Sequence, residues 1–182
     1  MKTISEHVLD IVQNSVRAEA TLIEIIVREQ RKNNLYTLEI IDNGCGMTRE
    51  VLEQATNPFF TSRSTRKVGL GLSLLKQNAE AAGGSFIIFS EPGKGTKVEA
   101  VFLLNHLDRP PLGDIWDTWY LTLLSNPEIR LVYTHQTNEG SFSIDSQEVL
   151  KMTDGIPLQQ KEMREAILEM IKNNLEEINT SK

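Results

Sequence analysis

Asp42-Asn43-Gly44-Cys45-Gly46-Met47 closes a run from Leu35 to Asp42 that is rich in Ile and Leu and alternates in part. A carboxylate and two glycines at the mouth of a strand let backbone approach a bound molecule closely and supply positive φ. Leu22 to Glu29 has the same apolar character, and the turn-forming Lys32-Asn33-Asn34 between the two runs predicts a hairpin. Asp42 shares parity with Tyr36, Leu38 and Ile40. Its carboxylate is therefore expected on the apolar face, where a flat heterocycle could lie over the sheet.

Three further signatures flank this loop. Upstream is Asp10-Ile11-Val12-Gln13-Asn14-Ser15, on a predicted amphipathic helix. Ile4, Val8, Leu9, Ile11, Val12, Ser15 and Val16 cover one broad arc of its wheel, and His7, Asp10, Asn14 and Arg17 gather on the other side. Downstream come Asn57-Pro58-Phe59-Phe60-Thr61-Ser62-Arg63, then Gly69-Leu70-Gly71-Leu72-Ser73, and finally Ser90-Glu91-Pro92-Gly93-Lys94-Gly95-Thr96. Thr48 caps a short predicted helix to about Ala55, and a helix over Leu70 to Ala82 is stopped by Gly83-Gly84. Strands near Phe86 to Ser90 and Thr96 to Leu104 follow, joined by the Pro-Gly and Lys-Gly turn. The pattern is α+β.

The rest of the chain reads as a small α/β extension. Asp108-Arg109-Pro110-Pro111 has the character of a linker. Beyond it the patterns predict a helix over Asp114 to Leu124 and strands near Ile129 to His135 and Ser141 to Ile144. Helices near Ser146 to Met152 and Leu158 to Ile178 complete the chain. The expected organisation is 1–105 as one domain and 106–182 as the extension. Trp116, Trp119 and Tyr120 fall on the first helix of this part, where packing against the main domain is expected over an exposed docking surface.

Composition sets bounds. In 182 residues, 40% hydrophobic and 24% charged, there is material for one sizeable core. A formal charge of -6 disfavours nucleic acid or an anionic membrane as main partner. Cys45 is the only cysteine, so no internal disulfide can form. No run approaches the ~20 apolar residues of a membrane span, and the first residues lack the apolar stretch of a signal peptide. The expected location is cytoplasmic.

Taken together, the four ordered signatures resemble the ATPase superfamily shared by DNA gyrase, the large heat-shock chaperones, mismatch-repair ATPases and sensor histidine kinases. The resemblance covers about residues 1 to 105. Pro58-Phe59-Phe60-Thr61, Gly69-Leu70-Gly71-Leu72-Ser73 and Gly84 through Thr96 are most similar to the histidine-kinase ATP-binding domain. It implies a two-layer α/β sandwich with a mainly antiparallel mixed sheet, and ATP with Mg²⁺ as ligands.

The resemblance also implies roles. Asn14 corresponds to the Asn that holds Mg²⁺ across the phosphates, and an amide oxygen is a hard, neutral ligand suited to that ion. Asp10 stands where the family usually carries Glu, at the same helical offset but one methylene, about 1.5 Å, shorter. It is the candidate to orient water or the attacking group, or to touch Mg²⁺ through water. Asp42 corresponds to the adenine reader, with Thr96 nearby through an ordered water, in a loop formed by Gly44, Gly46 and Met47. Gly69, Leu70, Gly71 and Leu72 open a helix whose free N–H groups can receive phosphate oxygens. Phe59, Arg63, Arg66 and Lys67 fall in the segment resembling the ATP lid, and the three cations are candidates to follow the phosphates on closure. The kinase pattern normally adds a second Asn and then a basic residue beside an aromatic, but here that stretch reads Ser15-Val16-Arg17-Ala18-Glu19-Ala20-Thr21, in which Arg17 is the candidate substitute.

The family's phosphoacceptor His lies on a dimerisation hairpin ahead of the ATP domain. Only 13 residues precede Asn14 here, so an acceptor on another chain is expected, with His7 a poor one. The reading is a Mg-ATP-binding protein that phosphorylates an unidentified protein partner in trans or hydrolyses ATP slowly, and that could form a homodimer. A non-catalytic ATP-sensing regulator is the alternative. An anti-sigma-type serine kinase fits the Pro58 to Thr61 box poorly.

Overall fold

Leu22–Gln30 (β1) buries alternate side chains, Ile23, Ile25, Val27 and Glu29, and Leu35–Asp42 (β2) answers with Tyr36, Leu38 and Ile40. The antiparallel register sets Ile25 against Ile40 and Val27 against Leu38, so a period of two builds one continuous apolar face. A turn of 3-10 helix at Arg31–Asn33 and a left-handed Asn34 reverse the chain, where the sequence predicts the hairpin turn. The computed structural model describes residues 1–56 and 71–181.

Ser85–Glu91 (β3), Gly95–Leu103 (β4), Arg130–Gln136 (β5) and Ser141–Asp145 (β6) join the hairpin in one six-stranded sheet, ordered β3-β4-β2-β1-β5-β6. Neighbours are antiparallel except β1 and β5, which run parallel, so the sheet is mixed and mainly antiparallel. The strands after residue 106 thus continue the sheet that carries Asp42.

The described helices are Ile4–Arg17 (α1), Arg49–Gln54 (α2), Gly71–Ala81 (α3), Ile115–Ser125 (α4), Ser146–Thr153 (α5) and Lys161–Glu177 (α6). α1 lies between α3 and α4, and α4 packs on α6, which makes the helical layer of an α+β sandwich. Val8, Ile11 and Val12 of α1, Leu75 and Ala79 of α3 and Trp119 of α4 meet the sheet's apolar side chains in one core. Fully burying an aliphatic side chain is worth about 1.5–3 kcal/mol, so this layer dominates the stability. None of the described helices is long and apolar enough to cross a membrane.

Local signals set the boundaries. Thr3 caps α1 by accepting the Glu6 N–H at 3.3 Å, and Gly83, at φ 72°, ends α3 in a conformation that L side chains rarely adopt. α6 starts at Lys161 rather than at Leu158, because the Leu158 side chain is buried and its carbonyl accepts the Tyr120 hydroxyl.

The stretch expected as a linker is pinned instead. Arg109 donates to Leu104 O at 2.8 Å and lies 4.8 Å over the Tyr36 ring. Pro111 and Leu112 carbonyls accept the N–H groups of Ile4 and Ser5 at 2.8 and 2.9 Å. The first amides of α1 have no partner inside their own helix, and this segment supplies one. Trp119 and Tyr120 are buried, and half-buried Trp116 carries the Lys172 ammonium 4.9 Å over its ring, so these aromatics pack rather than dock.

One buried cluster is polar. His135 Nε2 lies 2.9 Å from Glu29 Oε1, the Tyr133 hydroxyl lies 2.7 Å from His135 Nδ1, and Ser181 N–H donates to both Glu29 oxygens. Burial pushes the Glu29 carboxyl up, but the His135 and Ser181 hydrogen bonds outweigh it and leave the group below its ordinary value.

Candidate nucleotide site

Asp42 ends β2, opposite Ile23 of β1 and Thr96 of β4. Three donors fix its carboxylate: Gly44 N–H at 2.9 Å and Thr96 N–H at 3.1 Å on Oδ1, and the Ser15 hydroxyl at 2.6 Å on Oδ2. A carboxylate offers about four acceptor positions, so these three leave one, on Oδ2. The residue is half-exposed, and a ligand lying over this end of the sheet can reach that position.

The loop after Asp42 is folded by contacts with three elements. Gly46 has φ 68°, and a Cβ there would lie 2.0 Å from Glu91 O, so the position needs glycine both for conformation and for space. At Gly44 the demand is space alone, since a Cβ would sit 2.7 Å from Ala18 O. Cys45 N–H donates to Ala18 O, Gly93 N–H donates to Cys45 O, and Met47 N–H donates to the Ser90 hydroxyl. The Ser90 hydroxyl also reaches Gly95 O and Thr96 Oγ1 at 2.9 Å, and Asn43 Oδ1 accepts the Thr21 and Leu22 N–H groups at the start of β1. Exposed Cys45 is a small residue in this turn.

The polar side of α1 departs from the helical wheel at one residue. Asp10 and Asn14 are half-buried and Arg17 is exposed, but His7 is fully buried, because α3 lies along this flank of the helix. His7 Nε2 pairs with Asn78 Nδ2 at 2.9 Å, and its Nδ1 has no partner. Burial lowers its pKa to about 4, so at neutral pH the ring is uncharged. Arg17 donates to Asn14 Oδ1 at 3.0 Å and to Gln13 Oε1 at 3.4 Å. The Asp10 carboxylate lies against Gly71, where a Cβ would fall 1.8 Å from Asp10 Oδ2. Leu72 follows on α3 and packs against the core.

The structure therefore gathers Asn14, Arg17, Asp42, Gly44, Gly46, Met47 and Thr96 around the ends of α1, β2 and β4, with Asp10 and Gly71 at the α1–α3 contact. Phe59, Arg63, Arg66, Lys67, Gly69, Leu70 and the Pro58 to Thr61 box lie outside the described residues. Asn14 and Asp10, one turn apart, offer the hard oxygens that Mg²⁺ prefers, and the first described residue of α3, Gly71, lies beside Asp10. The donor set fits a metal-bound polyphosphate.

Ser15, Asn43 and Ser90 escape the sequence reading as site residues. A small hydroxyl on the apolar arc of α1 is itself a signal, because a buried polar group needs a partner, and for Ser15 that partner is Asp42.

Residues 2–106, more than half of the chain, match the family described as histidine kinase-, DNA gyrase B-, and HSP90-like ATPase. A protein of Shewanella frigidimarina described as a sensor protein is 38% identical over 107 residues, which is 58% of this chain and 16% of that one. The cell-division control histidine kinase PdhS of Brucella ovis is 34% identical over 115 residues, 56% of this chain and 11% of its own length. The chain thus spans only a small part of the curated relatives it matches. The crystal structure of the N-terminal domain of a DNA repair protein superposes with a TM-score of 0.53 at 17% identity, over 79% of this chain and 52% of that one. At that identity the likeness is one of fold.

Proposed function

The chain belongs to the histidine kinase-, DNA gyrase B-, and HSP90-like ATPase family, and we propose that it binds ATP with Mg²⁺ and transfers the γ-phosphoryl group to a partner protein or hydrolyses the nucleotide slowly. The observation that carries the reading is the state of Asp42, a half-exposed carboxylate whose three fixed donors leave one acceptor position on Oδ2. That position suits the exocyclic amine of adenine. Guanine presents a carbonyl there, which would leave the carboxylate unpaired.

In this reading Asn14 would hold the metal through its amide oxygen, the atom that accepts from Arg17 at 3.0 Å, and Arg17 would lie beside it as a candidate phosphate cation. Mg²⁺, when bound, neutralises charge on the transferring phosphoryl group. Gly71 and the following N–H groups of α3 receive phosphate oxygens, and Arg63, Arg66 and Lys67 are the candidate cations that the family resemblance assigns to them. Asp10 orients the attacking group.

A second reading, a non-catalytic ATP sensor, draws on one observation: the Asp10 carboxylate, already one methylene short, is turned onto Gly71 at the start of α3. The protein incubated with γ-labelled ATP, alone and with lysate from its source, separates the two. Label on another protein or released phosphate is the expected result. Retained ATP binding with neither product would establish the sensor.

Asn14→Ala is expected to remove most of the Mg²⁺ dependence of ATP binding while leaving base recognition intact, because it deletes a metal ligand and does not touch Asp42. Titration with and without Mg²⁺ checks this, and an unchanged metal dependence would reduce Asn14 to a structural partner of Arg17.

A further inference from the structure

We propose that His7 and Asn78 are positioning residues that set how α1 and α3 meet, and so hold the phosphate end of the nucleotide site in register. The inference rests on the ATP-binding reading above. On α1, His7, Asp10 and Asn14 are spaced by three and four residues and lie along one stripe. On α3, Gly71, Leu75 and Asn78 are spaced by four and three and do the same. Two contacts join the stripes: His7 to Asn78 at 2.9 Å, and the Asp10 carboxylate to Gly71. The order is opposed, His7 meeting the later part of α3 and Asp10 its first residue. One stripe of α1 therefore carries the lock and the candidate phosphate machinery together.

Apolar contacts between the helices are non-directional and tolerate small slips or rotations. Val8 of α1 and Leu75 and Ala79 of α3 belong to one apolar core, which would hold the helices together without choosing their register. A hydrogen bond is directional, and a slip would strand Nε2 of the fully buried His7, while Asn78, half-buried, is its partner across the helix contact. The arrangement is not one that stability alone would select. His7 is fully buried and its Nδ1 has no partner, a cost that a leucine at the same place would avoid. Such polar pairs in apolar surroundings specify geometry at the expense of stability. Here the geometry specified is the distance from Asn14 and Asp10 to the opening of α3.

The test compares ATP with adenosine, which lacks the phosphates, on wild type, H7Q and the double variant His7→Leu with Asn78→Leu. The double variant replaces both polar groups by apolar ones and so keeps a packed interface, which thermal melting verifies. Expected is adenosine affinity within about threefold of wild type and ATP affinity lower by about tenfold or more, with H7Q, whose amide can still pair with Asn78, recovering most of the loss. Unchanged ATP affinity in the folded double variant would overturn the proposal, as would a parallel loss of ATP and adenosine, since that is what general damage to the fold produces. Wild type that binds neither ligand would instead refute the ATP-binding reading itself.

Discussion

Asp42→Ala is expected to lower ATP affinity by about 100-fold, the largest binding effect of any single substitution in this site. A hydrogen bond to a charged acceptor is worth about 1.5–3 kcal/mol, and each 1.4 kcal/mol is a factor of ten. The substitution removes the proposed adenine acceptor and also frees the Gly44 and Thr96 N–H groups and the Ser15 hydroxyl that it holds. Asp42→Asn is the finer probe. It keeps the shape of the side chain and one acceptor oxygen for Gly44 and Thr96, but places an amide donor where Oδ2 stood. Wild type should prefer ATP to GTP, and Asp42→Asn should lose that preference, since a donor suits the carbonyl of guanine. Calorimetric titration of both nucleotides decides it, and equal affinity of wild type for ATP and GTP would remove Asp42 as the base reader.

Much of this site was legible in the sequence because its determinants are local. Parity along Leu35 to Asp42 placed the carboxylate on the apolar face, and the structure puts Asp42 in register with Thr96 on that face. Gly44 and Gly46 announced a tight backbone. Long-range pairing left weaker marks. His7 sits among polar residues on the helical wheel, yet α3 covers it, and nothing within α1 says where a helix more than sixty residues away will pack. Asp108-Arg109-Pro110-Pro111 has the composition of a linker, but its use as an acceptor for the first turn of α1 depends on contacts made only in the folded chain. The parallel pairing of β1 with β5 is equally silent, because Ile129 to His135 reads as a strand whichever neighbour it takes.

The buried polar cluster on that parallel pair carries the largest expected effect on stability. Glu29→Ala should destabilise the protein by about 3–5 kcal/mol, the cost of leaving a buried partner uncompensated. In a domain of this length each kcal/mol moves the melting temperature by about 2–4 °C, so the midpoint should fall by on the order of 10 °C. The loss has three parts: His135 Nε2 loses its acceptor, Ser181 N–H loses both of its own, and the vacated volume is buried. The pH dependence has a definite sign. The Glu29 carboxyl is held below its ordinary value of 4.5, so the unfolded chain takes up the proton first as pH falls. The stabilisation from Glu29 is then complete above about pH 4.5 and fades below it, as the carboxyl protonates in the folded state. Glu29→Gln keeps an oxygen for His135 and Ser181 but cannot ionise, so it should cost less than Glu29→Ala at pH 7 and lose little more on acidification. Denaturant melts of the three proteins at pH 7 and pH 4 test both statements. A Glu29→Ala variant within 1 kcal/mol of wild type at pH 7 would mean that water entering the cluster replaces the carboxylate, and that β5 is held to β1 by its backbone ladder and apolar contacts alone.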